Sequence, residues 1–239
     1  MSLALVLSAG GMYAAWEVGV WKVLRERFQF DMIVGTSAGA WNAWAIAGGS
    51  SPDELIREWL DPKTGTIMQP GLHRTGILSP KMLHEKARDL FARFQPRMPF
   101  ALTLSAVPRL RSVLVRGPEV TWRHLAAAAS IPLAFPPVDI DGQRYVDGGL
   151  LGALPLWAAE AMGATHAIGV NAINIFPFRL LRVIIRPRKP SAALRVFDIE
   201  PSQRLGPLRD GVVWSAANTL RWIEQGERDG NRAATSITM

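Results

Sequence analysis

Apolar residues along this chain follow two alternating rhythms. "LALVLS" (3–8) and "FDMIVG" (30–35) are short, continuous apolar runs bounded by small residues, and they predict buried strands. Around them, apolar positions recur at helical spacing. Residues 12–27 predict a helix with Trp16, Val20, Val23 and Leu24 on one face, and residues 38–49 predict a second that ends on a glycine pair. "PDELIREWL" predicts a third, capped by Ser51 or Asp53, with Glu54 adding negative charge to its first turn. Residues 62–80 are rich in proline and glycine and read as loop, and residues 79–94 predict a helix opened by serine and proline. Two strands follow, "ALTLSAV" and "SVLVRG", then a helix in "TWRHLAAAASI". "RYVDGG" ends a strand in a turn, "LPLWAAEAMGA" predicts a helix and "HAIGVNAI" a buried strand. The stretch "GVVWSAANTLRWIEQGERDG" predicts an amphipathic helix.

Strands that alternate with helices favour a mostly parallel sheet covered by helices on both faces, an α/β fold. No internal repeat, low-complexity tract or linker interrupts the chain, so residues 1–239 read as a single domain. Composition removes several kinds of chemistry. With no cysteine there are no disulfides, thiolate metal sites or cysteine nucleophiles, and the histidines at 73, 84, 124 and 166 lack metal-ligand spacing. No metal is expected. The apolar first twenty residues lack a basic lead and contain Gly10, Gly11 and Glu17, so they read as strand, turn and helix rather than a signal peptide. No apolar run approaches the roughly 18 residues of a membrane span, and a cytoplasmic location is expected.

The candidate chemistry starts at "IVGTSAGA" (33–40). Gly35, Ser37 and Gly39 match G-x-S-x-G between a predicted strand and a predicted helix, the setting in which that motif exposes a nucleophilic serine on a sharp turn. The plainer reading is a turn of small residues that lets helix and strand pack closely. A histidine base is available in principle, since Asp147 followed by His166 has the order of a hydrolase triad, but His166 opens a buried strand where a structural role fits better. Asp147 is the better partner: "YVDGG" leaves an apolar strand and turns on Gly148 and Gly149, exposing a carboxylate at the strand's end. Asp-Gly is also a common turn signal. A carboxylate is a weak base for an alcohol, so a Ser–Asp pair needs proximity, exclusion of water and a strong oxyanion hole. "SAGGMYAA" offers one, because Gly10 and Gly11 sit between a strand and a helix where their amides can converge. The same stretch, with Asp31 about twenty residues on, could suggest a dinucleotide site. Ala9 and Ala14 occupy two of the three glycine positions that site requires, and no nucleotide cofactor is expected.

"LVLSAGG…VGVWKVL", "GTSAGAWNA", "ASIPLAFPPV" and "YVDGGLLGALPL" together make the sequence resemble the patatin-like phospholipases over most of residues 3–175. The resemblance implies a three-layer α/β/α sandwich related to the catalytic domain of cytosolic phospholipase A. It also implies a Ser–Asp dyad that hydrolyses lipid acyl esters through an acyl-enzyme, with Ser37 as nucleophile and Asp147 as base. Gly10, Gly11 and Met12 would then supply the oxyanion-hole amides. The glycine-rich loop departs from the family's pattern at Ala9, Tyr13 and Ala14: Tyr13 stands where a basic residue is usual, and alanine is strained wherever φ is positive. Ala153 replaces an asparagine often found after the aspartate block. A chain whose loop had decayed would bind or regulate lipid without hydrolysing it.

Charge adds a partner. The net charge is +7, and no acidic residue lies between Glu160 and Asp198. Within that stretch, "NIFPFRLLRVIIRPRKP" (174–190) joins phenylalanine and aliphatic residues to Arg179, Arg182, Arg186, Arg188 and Lys189. The segment suits an anionic membrane surface as well as it suits a core strand with basic flanks. No nucleic-acid motif accompanies it.

Overall fold

The computed structural model describes residues 1–73, 76–173 and 188–238. In chain order its strands and helices are β1 (Leu3–Leu7), α1 (Ala14–Arg27), β2 (Met32–Thr36), α2 (Ala38–Ala47) and α3 (Pro52–Leu60). There follow β3 (Pro70–His73), β4 (Gly76–Leu78), α4 (Pro80–Arg93), β5 (Phe100–Val107), β6 (Arg111–Arg116) and α5 (Trp122–Ala128). The chain continues through β7 (Val138–Ile140), β8 (Gln143–Asp147), α6 (Leu156–Ala161), β9 (His166–Val170), β10 (Arg195–Ile199) and α7 (Ala216–Ser236).

Side chains alternate across a strand, and in β1 that alternation builds the layers. Leu3, Leu5 and Leu7 join one apolar cluster with Trp16 of α1, Trp44 of α2 and Trp222 of α7. Ala4 and Val6 join a second with Trp157, Ala158 and Ala159 of α6. Both faces of the sheet are therefore covered, which explains why β1 is apolar and buried at all five positions. The fold is the expected α/β arrangement, a mostly parallel sheet between helical layers. α1 and α7 cross closely: a Cβ on Gly19 would lie 2.0 Å from the Ile223 carbonyl oxygen, and one on Gly226 would lie 2.1 Å from that of Trp16.

The main sheet runs β10-β9-β1-β2-β5-β8-β7, with β6 also paired to β5. β10, β9, β1, β2 and β5 are mutually parallel, whereas β6 and β8 pair with β5 antiparallel. β6 covers Ala101–Ala106 of β5, so β2 and β8 must share the opposite edge. They do so end to end. Thr36, the last residue of β2, pairs with Thr103, and Asp147, the last residue of β8, pairs with Leu104. Two strands of opposite direction thus terminate against neighbouring residues of one long strand.

Several boundaries differ from the sequence reading. The proline-rich stretch read as loop holds a 3-10 turn (Pro62–Met68) and the β3–β4 hairpin. β7, only three residues long, and β10, whose apolar residues follow Arg195 and are interrupted by Asp198, do not stand out in the sequence. Ser51, rather than Asp53, caps α3, its hydroxyl accepting from the Glu54 amide at 3.1 Å. Residues 174–187 of the basic apolar segment lie outside the described residues. At its end, the Arg188 guanidinium stacks over the Trp157 ring at 4.4 Å.

Candidate active site

Ser37 occupies the turn between β2 and α2 with φ 56° and ψ −135°, a conformation that L-residues rarely adopt and that sites under functional constraint retain. The flanking glycines are steric requirements. A Cβ on Gly39 would sit 2.2 Å from the Ser8 carbonyl oxygen at the end of β1, and one on Gly35 would sit 2.5 Å from the carbonyl oxygen of Gly39. The first turn of α2 is therefore pressed against the ends of β1 and β2. Its N-terminus, with its unsatisfied amides, begins immediately after the serine.

Asp147 reaches the same point from β8. The Ser37 Oγ donates to Asp147 Oδ2 at 2.6 Å, across 110 residues of sequence. The other carboxylate oxygen, Oδ1, accepts from the Gly149 amide at 2.7 Å, and the Asp147 amide donates to the Ser130 carbonyl at 3.0 Å. Gly148 cannot carry a side chain, since a Cβ would fall 2.2 Å from the Thr103 carbonyl oxygen; on Gly149 it would meet Ala9 Cβ at 2.8 Å. Both side chains are screened from bulk water, with Ser37 4% and Asp147 5% exposed. Burial pushes the Asp147 carboxyl up to about 6, against the opposing pull of hydrogen bonds from Ser37 and Gly149. The pair is a hydroxyl held on a carboxylate that is more basic than a solvated one.

The loop after β1 brings Gly10, Gly11 and Met12 to this end of the sheet. Gly11 has φ +54°, and a Cβ there would lie 2.3 Å from the Gly211 carbonyl oxygen, so glycine is required at that position. Ala9 is not among the positive-φ residues, and Ala14 has φ −64°, so neither alanine is strained. The Ala9 amide donates to the carbonyl of Ala153 at 2.7 Å, a main-chain contact indifferent to the missing asparagine side chain. Tyr13 anchors the loop by other means than a basic residue. Its hydroxyl donates to the Pro207 carbonyl at 2.5 Å, and its ring stands edge-on to Trp222 with centroids 5.0 Å apart. Among the described residues, nothing accepts a hydrogen bond from the Gly10 or Gly11 amide.

A cavity of about 730 Å³, its open mouth included, is shared by Ser37, Gly11 and Met12. Its walls are mostly apolar, with Trp41, Leu83 and Phe135 among them, and Glu58 and Lys86 form a charged section. Glu58 is paired with Lys86 and Arg93.

The alternative candidates lie elsewhere. His166 starts β9 opposite Leu3, whereas Ser37 follows the far end of β2, about 13 Å or more along the sheet. Its Nδ1 meets Thr165 Oγ1 at 2.9 Å. Asp31 accepts from the Leu3 amide at 2.7 Å and so secures the start of β1. Among the described residues, no group of three or more histidines and acids converges as a metal site.

Sequence reasoning missed Glu17 and Asn42. Glu17 is fully buried behind the loop, where Oε1 accepts from the Ser8 amide at 2.9 Å and Oε2 accepts from Asn42 Nδ2 at 3.1 Å. Asn42 Nδ2 also donates to the Ala14 carbonyl at 2.9 Å, and its Oδ1 accepts from Trp59 Nε1 at 2.9 Å. The signal available was a lone acid inside the apolar run "AAWEVGVW".

With this geometry in place, similarity to known proteins becomes informative. Patatin-like phospholipase domain-containing protein 7 of Rattus norvegicus is 28% identical over 183 residues, covering 71% of this chain and 13% of the relative. Lysophospholipase NTE1 of Mycosarcoma maydis is 27% identical over 190 residues, covering 73% of this chain and 10% of the relative. The chain thus spans only a small part of the length of these relatives. The crystal structure of VipD from Legionella pneumophila superposes over 98% of this chain and 67% of its own with a TM-score of 0.54 at 11% identity, which is a likeness of fold. The profile of the family described as Patatin-like phospholipase matches residues 5–160, well over half of the chain. This chain belongs to the patatin-like phospholipase family.

Proposed function

We propose that the protein is a serine acyl hydrolase that cleaves lipid acyl esters, of phospholipase A, lysophospholipase or carboxylesterase type, through a covalent acyl-enzyme. The observation that carries this reading is the 2.6 Å contact of Ser37 Oγ with Asp147 Oδ2 beside an apolar cavity. Family membership and the lysophospholipase among the relatives support it.

The ester's acyl chain lies in the cavity with its carbonyl carbon facing Ser37. As Oγ attacks that carbon, the hydroxyl proton passes to Asp147 Oδ2 and negative charge develops on the carbonyl oxygen. Amides of Gly10, Gly11 and Met12 receive the charge, and a single such donor contributes about 3 kcal/mol in comparable sites. Collapse of the intermediate breaks the ester C–O bond, and Asp147 returns the proton to the departing alcohol. Water then attacks the acyl-enzyme, giving its proton to Asp147, and a second collapse releases the fatty acid and restores the Ser37 hydroxyl. Each proton is carried by Ser37, Asp147, the alcohol or water, so the cycle balances without a metal or cofactor. Raised basicity favours Asp147 as proton acceptor, and at pH 7 a carboxyl that titrates near 6 is mostly ionised.

The test is hydrolysis of short- and long-chain p-nitrophenyl esters and of lysophosphatidylcholine. Wild type turns over, Ser37→Ala and Asp147→Asn do not while keeping their fold, and a fluorophosphonate labels Ser37 alone. An inactive, unlabelled wild type refutes the reading in favour of a lipid-binding or regulatory role. For substrate held in a bilayer, the basic apolar stretch 174–190 supplies a peripheral contact with anionic lipid. Charge reversal at Arg186, Arg188 and Lys189 should weaken co-sedimentation with phosphatidylglycerol vesicles, and unchanged binding removes that segment from the proposal.

A further inference from the structure

The Ser8 hydroxyl poses a hydrogen-counting problem. Its oxygen lies 2.9 Å from the Ala9 carbonyl oxygen and 3.0 Å from Glu17 Oε1, and it accepts from the Ala172 amide at 2.9 Å. A hydroxyl has one hydrogen and two lone pairs. A carbonyl cannot donate, so both oxygen contacts are hydrogen bonds only when Ser8 donates to Ala9 and Glu17 donates to Ser8. Glu17 then carries a proton on Oε1, and that oxygen still accepts from the Ser8 amide, which also reaches the Val170 carbonyl at 3.1 Å. Oε2 accepts from Asn42, and every polar atom of the group is satisfied.

The relay ends on the peptide that precedes Gly10. Among the described residues the cis peptide bond is Val107–Pro108, so Ala9–Gly10 is trans, and its C=O and N–H point in opposite directions. Fixing the Ala9 carbonyl on Ser8 therefore fixes the Gly10 amide facing away from Ser8. Gly10 is buried and its amide has no acceptor among the described residues. A buried, unpartnered N–H is costly unless a ligand completes it.

We propose that Glu17, as a neutral acid acting through the Ser8 hydroxyl, holds the Ala9–Gly10 peptide with its amide aimed at the oxyanion position beside Ser37. This rests on the reading of Ser37 as the nucleophile. Glu17 is a positioning residue: it touches no substrate, and its effect travels through Ser8. Burial, the largest influence, pushes its carboxyl up to about 8, so it is mostly neutral at pH 7. The groups that face it are uncharged: Ser8, which follows β1, and Asn42 from α2. The acids that α7 brings to α1, Glu227 and Asp229, bond Lys22 and Trp16, while Glu54 and Glu58 of α3 bond Arg93 and Lys86. When Glu17 ionises, the Ser8 hydrogen turns to the carboxylate and the Ala9 carbonyl loses its restraint.

Steady-state hydrolysis of p-nitrophenyl butyrate between pH 5 and 10 tests the relay. Wild-type kcat should fall about tenfold above pH 8. Ser8→Ala should lower kcat at pH 7 about 10- to 100-fold with KM within about twofold, less than the loss of a whole donor. Glu17→Gln cannot ionise, and its amide nitrogen can donate to Ser8 Oγ but cannot accept the Ser8 N–H. It should therefore abolish the alkaline limb while leaving a reduced plateau. Glu17→Gln and the wild-type profile carry the test if Ser8→Ala fails to fold. A wild type that turns over with an alkaline limb unchanged in Glu17→Gln, or with kcat unchanged in Ser8→Ala, overturns the relay and leaves the nucleophile intact. A wild type with no turnover and no fluorophosphonate label overturns both.

Discussion

Replacing Asp147 by asparagine should make the protein more stable while abolishing acyl transfer, and the gain should depend on pH in a defined way. Asparagine fits the same contacts: its Oδ1 can accept from the Gly149 amide and its Nδ2 can donate to Ser37 Oγ. In wild type the carboxyl titrates at about 6 in the folded state, against an ordinary value of 3.8. Below 3.8 both states hold the proton and the group costs nothing. Between 3.8 and about 6 the unfolded chain releases its proton while the folded one keeps it, so stability falls as pH rises. Above 6 the loss is complete. A separation of about two pH units, at about 1.36 kcal/mol each, makes the loss about 3 kcal/mol. The variant is spared it. Urea unfolding of both proteins from pH 3.5 to 7.5 gives two stability curves whose difference isolates this group, because other titrations such as that of Glu17 cancel. The difference should widen by about 3 kcal/mol across the interval and then remain constant. Parallel curves would refute the reasoning, since they would mean that Asp147 titrates as a solvated carboxylate and that burial does not set its basicity.

Three further outcomes follow from the geometry. Ser37→Gly and Ser37→Ala lose the same hydroxyl and should both eliminate ester hydrolysis, but only glycine relieves the positive φ, so in urea Ser37→Gly should be about 1–3 kcal/mol more stable than Ser37→Ala. Gly39→Ala forces a methyl to 2.2 Å from the Ser8 carbonyl oxygen, and calorimetry should show a destabilisation of about 3 kcal/mol or more, at the upper end of overpacking costs. Tyr13→Phe removes the hydrogen bond to the Pro207 carbonyl, costs about 1 kcal/mol, and should lower kcat more than it alters KM if, as proposed, the loop it anchors supplies the oxyanion amides.

Much of the site could be read from the sequence because its requirements are local. A serine between Gly35 and Gly39 after an apolar strand specifies a strained turn, and Asp147 before two glycines specifies a carboxylate at a strand's end. Their proximity could not be read from either segment, since it depends on β2 and β8 ending against adjacent residues of β5. The apolar run of β1 announced a strand covered on both faces. β7, with its three residues, and β10, with exposed Arg195 and Asp198, gave no comparable signal, because edge strands are defined by pairing more than by burial. Tyr13 looked like a defect in the loop because its partners, Pro207 and Trp222, lie some two hundred residues away. Glu17 passed as an interruption in an apolar helix, since its hydrogen bonds are to Ser8 and Asn42, which only the packed structure brings to it.

The shared edge of β5 also bears on biosynthesis. A chain still leaving the ribosome exposes its alcohol early and its acid more than a hundred residues later, and neither group alone can attack an ester. In the proposed mechanism, competence comes only when one strand has captured both from opposite directions, so hydrolytic power would appear together with tertiary order. A slip of two residues in either pairing would separate the serine and the acid by about 7 Å, silencing the proposed dyad before the molecule had lost its shape.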